Sequence, residues 1–144
     1  MESLKASFYK TFIAEDRYLL FLGGLEKTLI ITLFATIMGV LIGAVVAVIK
    51  TIHKQSGSLK VANAICEFYT TVIRGTPVVV QLLITYNIIF ASSTQPVLVG
   101  IAAFGINSGA YVSEIIRAGI MSIDAGQMEA GRSLGFNYAQ TMWY

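Results

Sequence analysis

The chain has 144 residues, a net charge of +2, 56% hydrophobic residues, only 12% charged residues and a mean hydropathy of +0.72. Soluble domains carry about 25% charged residues, so this composition excludes an ordinary soluble enzyme and a basic nucleic-acid binder. The single cysteine, Cys66, excludes an internal disulfide and reads as apolar packing.

Residues 1–22 set Lys5, Lys10 and Arg17 against Glu2, Glu15 and Asp16 and are neutral overall. Thr28 to Ile49 then runs without a charge. As a helix this stretch is about 33 Å long, enough to cross a hydrocarbon core of roughly 30 Å. The first span is therefore expected at about 26–50. It starts too late and runs too long for a secretory signal, and no small-x-small cleavage site follows it. The next segment holds Lys50, Lys54 and Lys60, with His53 and no acid. Short basic loops stay on the cytoplasmic side, which puts the N-terminus outside and this loop inside. Lys27 at the outer end argues the other way, and Glu26 beside it lessens that weight. Along the span, Thr28, Thr32, Thr36, Gly39, Gly43 and Ala47 recur at three- and four-residue spacing. Small residues so placed let helix backbones approach closely in lipid, although an Ala/Gly-rich span also yields such a run by chance.

Gln55-Ser56-Gly57-Ser58 breaks the pattern. From Leu59 an amphipathic helix is expected, with Val61, Ala62, Ile65, Phe68, Tyr69 and Val72 on its apolar face and Lys60, Asn63, Glu67 and Thr70 mostly opposite. It reads as an interfacial helix or as the first half of a bent span. Arg74-Gly-Thr-Pro77 should kink the chain, because proline lacks a donor and disfavours helix at the residue before it. Val78 to Ala91 is short for a crossing, so the second span is expected over 60–91, kinked at Arg74–Pro77. Arg74 then snorkels toward the cytoplasm. Ala91 to Pro96 forms a polar, uncharged outer turn. The third span, about 97–120, returns inward. Its middle is small and polar (Gly105, Asn107, Ser108, Gly109, Tyr111, Ser113) and should face protein or a water-filled path. Interhelical hydrogen bonding explains such residues equally well.

Beyond Arg117 the character changes. Asp124 and Gln127 fit a capping box, a short helix follows from Ala125 to Leu134, and Gly135 suits a left-handed helix end. Asn137 and Gln140 repeat the start signal. The expected product is an L-shaped elbow with Glu129 and Arg132 exposed beside the small residues Ala130 and Gly131. On spacing alone it is also an ordinary surface helix pair.

The run from Gly109 through Ile120, continued by Ser122 to Gly135, resembles the EAA-loop signature of ABC importer permeases of the polar amino-acid (histidine/glutamine) group. Arg74-Gly-Thr-Pro-Val-Val-Val-Gln-Leu82 is similar to a second block of that group, as is Leu25-Glu-Lys-Thr-Leu29. The resemblance implies an all-α, polytopic transmembrane helix bundle of the type I ABC importer permease kind, with a coupling loop at 122–144. It implies a plasma-membrane transport subunit that is not itself an enzyme and needs no cofactor or metal. Asp124, Gly126, Gln127, Glu129, Ala130, Gly131, Ser133, Leu134 and Gly135 would contact a cytoplasmic ATP-binding subunit. Further implied partners are a second permease subunit, identical or not, and an extracellular or periplasmic amino-acid-binding protein, with lipid around the spans. The family usually has Ala at the place of Gly131, and its members continue into an Ile-Leu-Pro-Gln block and two more spans. The chain is therefore expected to be a partial permease.

Candidates for the substrate path are Asn87, Asn107, Ser108, Tyr111 and Glu114, since polar groups at membrane depth are costly and usually purposeful. Glu114 could meet a cationic amino acid, or pair with Arg117 or Arg74. A membrane enzyme is the weaker reading: His53 stands alone, and no HExxH, GxSxG, metal-spaced cluster or P-loop occurs. The remaining alternative is a membrane interaction protein that transports nothing.

Overall fold

A computed structural model describes residue 5 and residues 7–143, apart from the side chains at 125, 138, 139 and 142. Glu2 of the N-terminal charge balance and Tyr144 of the expected coupling loop lie outside the described residues. The described chain is helical with no strand. A wide turn at Tyr9–Ile13 is folded onto the next helix by aromatic contacts, Phe8 on Phe12 and Phe12 on Phe21, both with ring centroids 4.9 Å apart. Left-handed backbone at Glu15 (φ 58°) and Asp16 (φ 55°) makes the corner between them.

Helix α1, Tyr18–Ser56, has 39 residues, about 58 Å at the standard rise. It begins before the expected first span and outlasts it. Lys50 and Lys54, expected in a loop, ride on its last turns, and the connection is only Gly57–Leu59. Gly57 (φ +68°) ends the helix with its N–H on the His53 carbonyl, 2.8 Å away.

Helix α2, Lys60–Gly75, turns inside out relative to a soluble protein. Val61, Ile65, Phe68 and Val72 of its apolar face are exposed, while Asn63, Cys66 and Thr70 are buried. That arrangement suits a helix with lipid or further apolar protein on its outer side. Thr76 and Pro77 are extended, and α2 meets Val78–Ile89 at 107°. The second half is helix α3, Val78–Ile84, which widens into a π turn at Thr85–Ile89. The expected kink is thus a sharp V. Among the described residues, α1 and α4 are each long and apolar enough to cross a membrane, and α2 reaches that length together with Val78–Ile89.

Helix α4, Pro96–Met121, starts with proline in its first turn, where no amide is missed, and runs along α1. The approach is close because side chains are missing. A Cβ on Gly39 would lie 2.7 Å from Ser108 Cβ, and one on Gly43 2.7 Å from Val112 Cγ1 and 3.0 Å from the Ser113 amide. Ala47, Ala110 and Ser113 are fully buried. The Tyr69 hydroxyl fastens α2 to α4 by donating to the Ile106 carbonyl at 2.6 Å. After α4 come two short helices, α5 (Ala125–Ser133) and α6 (Tyr138–Trp143).

Candidate functional site

Above the Gly39 contact α1 still meets α4, where a Cβ on Gly100 would lie 3.3 Å from Ile31 Cδ1, and an open groove of about 640 Å³ runs beside that contact. Thr28, Thr32 and Thr36 line it from α1; Asn107, Ser108 and Tyr111 line it from α4. The spacing rule that closes the lower half of the stripe also brings three hydroxyls to one wall, because residues four apart share a helix face. Three of the five expected path residues therefore meet here. Sequence reasoning marked the threonines only as packing; their four-residue recurrence opposite a polar run was the available signal.

Glu114 lies beyond the cavity, in a cluster of charges. Its Oε1 accepts from Lys50 Nζ at 2.6 Å, and its Oε2 from Arg117 Nη2 at 2.8 Å and Nε at 3.2 Å. Arg74 Nη1 is 3.8 Å from Oε2, and its guanidinium sits 5.7 Å from the centre of the Tyr111 ring. One carboxylate thus joins three cations from α1, α2 and α4. Both sequence-suggested partners are present, and Lys50 is added. Lys50 escaped notice because it read as a loop residue. Asn87 lies elsewhere: its Nδ2 donates to the Leu83 carbonyl one turn back, at 2.9 Å, and it does not line the cavity.

Gln81, also unmarked in the sequence, stands at the bend. Its Nε2 lies 2.6 Å from the Ile73 carbonyl, 2.9 Å from the Thr76 carbonyl and 2.7 Å from Thr76 Oγ1. Its Oε1 accepts from Asn107 Nδ2 at 3.1 Å.

The elbow forms from its own local signals. Asp124 Oδ1 accepts from the Gly126 amide at 2.7 Å, capping α5. Among the described residues the return bond from Gln127 is not made, so the expected box is half formed. The end of α5 is a complete Schellman turn: Phe136 N–H to the Gly131 carbonyl and Gly135 N–H to the Arg132 carbonyl, both 3.0 Å, with Gly135 at φ +84°. The second start is a full box, Asn137 amide to Gln140 Oε1 and Gln140 amide to Asn137 Oδ1, each 2.9 Å. Gly131 is buried against Thr141, whose Cβ would be 3.1 Å from an added side-chain carbon. Glu129, Ala130, Ser133 and Leu134 are exposed, Leu134 to 75%.

Two closely apposed apolar spans, a groove beside their contact that mixes threonine hydroxyls with Ile31 and Phe104, and a capped elbow after the last span describe a polytopic membrane protein. The match to known proteins is specific. Residues 39–144 match the family described as binding-protein-dependent transport system inner membrane component, and the chain belongs to that family. It is 40% identical over 121 residues to a candidate glutamine transport system permease protein of Rickettsia typhi, covering 82% of this chain and 53% of that protein. It is 40% identical over 124 residues to the arginine transport system permease protein ArtQ of Bacillus subtilis, covering 84% of this chain and 54% of that protein. A solved structure, an amino acid ABC transporter with histidines, aligns at TM-score 0.75 and 42% identity over 91% of this chain and 60% of that one. The chain spans about half the length of the curated relatives it matches.

Proposed function

We propose that this chain serves an ATP-driven importer of polar amino acids, with its N-terminus outside and the α5–α6 elbow in the cytosol. ATP binding in a separate subunit moves the elbow, and the elbow moves the spans, switching the path from outside-open to inside-open. The proposal extends to a second permease subunit and an external binding protein that delivers the amino acid. Support comes from the homologues, which are amino-acid permeases, and above all from the elbow. It is held rigid by its own caps, follows α4 directly, and shows an apolar knob, Leu134, next to the small exposed Ala130. A rigid lever transmits force only if its partner grips the two states differently. Substrate recognition falls to the neutral polar wall of the cavity, since the Glu114 carboxylate is held by Lys50 and Arg117.

The test is ATPase activity in the assembled transporter. Gly135→Asp strains the left-handed corner and Glu129→Lys reverses a charge on the exposed face. Both are expected to abolish substrate-stimulated hydrolysis while the permease still assembles. Stimulation at wild-type level in both variants would sink the coupling role.

A further inference from the structure

Breaking α2 at Pro77 leaves carbonyls at its end without helical partners, and at membrane depth each costs several kcal/mol if unpaired. Thr76 Oγ1 covers the Val72 carbonyl at 2.9 Å. Gln81 Nε2 covers those of Ile73 and Thr76. With its hydroxyl proton spent on Val72, Thr76 Oγ1 can only accept, so three acceptors face this end of the Gln81 amide. Only the NH₂ end fits there, which fixes the carboxamide orientation by chemistry. Its oxygen must then point at Asn107, and the Asn107 group facing it must be the donor, Nδ2. The other end of Asn107, Oδ1, has no hydrogen-bond partner among the described residues and is not sealed from solvent. Asn107 belongs to the cavity wall.

We propose that Gln81 is a positioning residue that sets the polarity of the substrate cavity. By holding Asn107 Nδ2 it turns a carbonyl oxygen toward the ligand, which then meets an acceptor. The group recognised is an N–H donor, the ammonium or side-chain amide of an amino acid. This rests on the import reading. It also explains how the bend and the cavity act together: any change in the 107° angle that moves Gln81 releases Asn107.

Two substitutions separate capping from positioning. Gln81→Lys keeps donors for the carbonyls but offers Asn107 no acceptor. Gln81→Glu keeps the acceptor but removes the donors. Uptake of radiolabelled glutamine, histidine and arginine, each alone, is measured with the assembled transporter in proteoliposomes. Gln81→Lys is expected to raise KM about tenfold, the worth of one hydrogen bond of about 1.4 kcal/mol, and to add nothing in an Asn107→Leu background. Gln81→Glu is expected to lower kcat and thermal stability while KM holds. A Gln81→Lys KM equal to wild type, or effects that multiply in the double variant, would overturn the proposal. The side-chain amide signal of Asn107 in nanodiscs, assigned by its loss in Asn107→Leu, reads the hydrogen bond without transport. It should shift in Gln81→Lys; an unmoved signal also overturns the proposal. A shifted signal with no uptake by the wild type supports the Gln81–Asn107 link and discards the import reading instead.

Discussion

Between Gly39 and Ala47, α1 lies against α4 with no space for larger side chains; between Thr28 and Thr36 the threonines of the same stripe are exposed and line an open groove beside the Ile31–Gly100 contact. The spacing is identical in both halves. What differs is the side chain: none or a methyl below, a hydroxyl-bearing branch above. Period therefore selects the face, whereas size and polarity decide whether that face closes or lines a groove. In lipid this distinction carries more weight than in water, because van der Waals contact between helices replaces the hydrophobic effect as the attractive force. The closed half continues as ion pairs, with Lys50 of α1 on Glu114 of α4.

Breaking those ion pairs should have the largest effect. Glu114→Gln leaves Lys50, Arg74 and Arg117 close together without their anion, with the Lys50 side chain only 13% exposed. Removing one partner of a largely buried pair costs about 3–5 kcal/mol. A thermal-denaturation midpoint in detergent should fall accordingly, and Lys50→Met in the same chain should recover part of the loss. No recovery would mean that Lys50 is not the cation that matters.

Next comes the closed half itself. Gly43→Val places a side chain within 3.0 Å of the Ser113 backbone, which cannot swing away. Overpacking of this kind costs about 1–3 kcal/mol. The same assay reads it, and an unchanged midpoint would show that the α1–α4 contact is looser than the geometry says.

The elbow repeats the rule on a smaller scale. Gly131→Ala gains about 1 kcal/mol of helix propensity but drives a methyl into Thr141. The collision should win narrowly, seen as faster backbone hydrogen exchange over 131–141. Thr141→Ala removes the nearest atoms, Cγ2 and Oγ1, and in that background the sign should reverse. Exchange that quickens equally with and without Thr141 would point to another cause.

The elbow was also the region most legible in the sequence. Caps and Schellman turns join residues two to five apart, so Asp124, Gly135, Asn137 and Gln140 announce themselves by type and spacing. The spans were legible as apolar runs, but their ends were not: a lysine ends an apolar run without ending a helix, so α1 passes the expected limit at residue 50, and Lys50 pairs with a residue 64 positions on. The proline announced a break at residue 77, whereas the 107° angle and the bonds of Gln81 to both the broken end and Asn107 involve residues up to 26 positions apart. Asn87 stands apart from the groove. One N–H of its amide bonds the Leu83 carbonyl of its own helix, a local contact that spacing four residues apart allows.

The smallest stability effect belongs to the open half, and it sharpens the comparison most. Thr32→Val keeps the branched shape and removes one hydroxyl from the cavity wall. No hydrogen bond of that hydroxyl is formed among the described residues, so the folded state loses little, within about 0.5 kcal/mol. Under the import reading the loss appears in substrate KM instead, a rise of about twofold to tenfold for one polar contact. Gly43→Val adds three carbons, and Thr32→Val exchanges a hydroxyl for a methyl, on one face of one helix, eleven positions apart. If both lowered the denaturation midpoint alike, the upper half would be packing as well, and the cavity would have no claim to be the path.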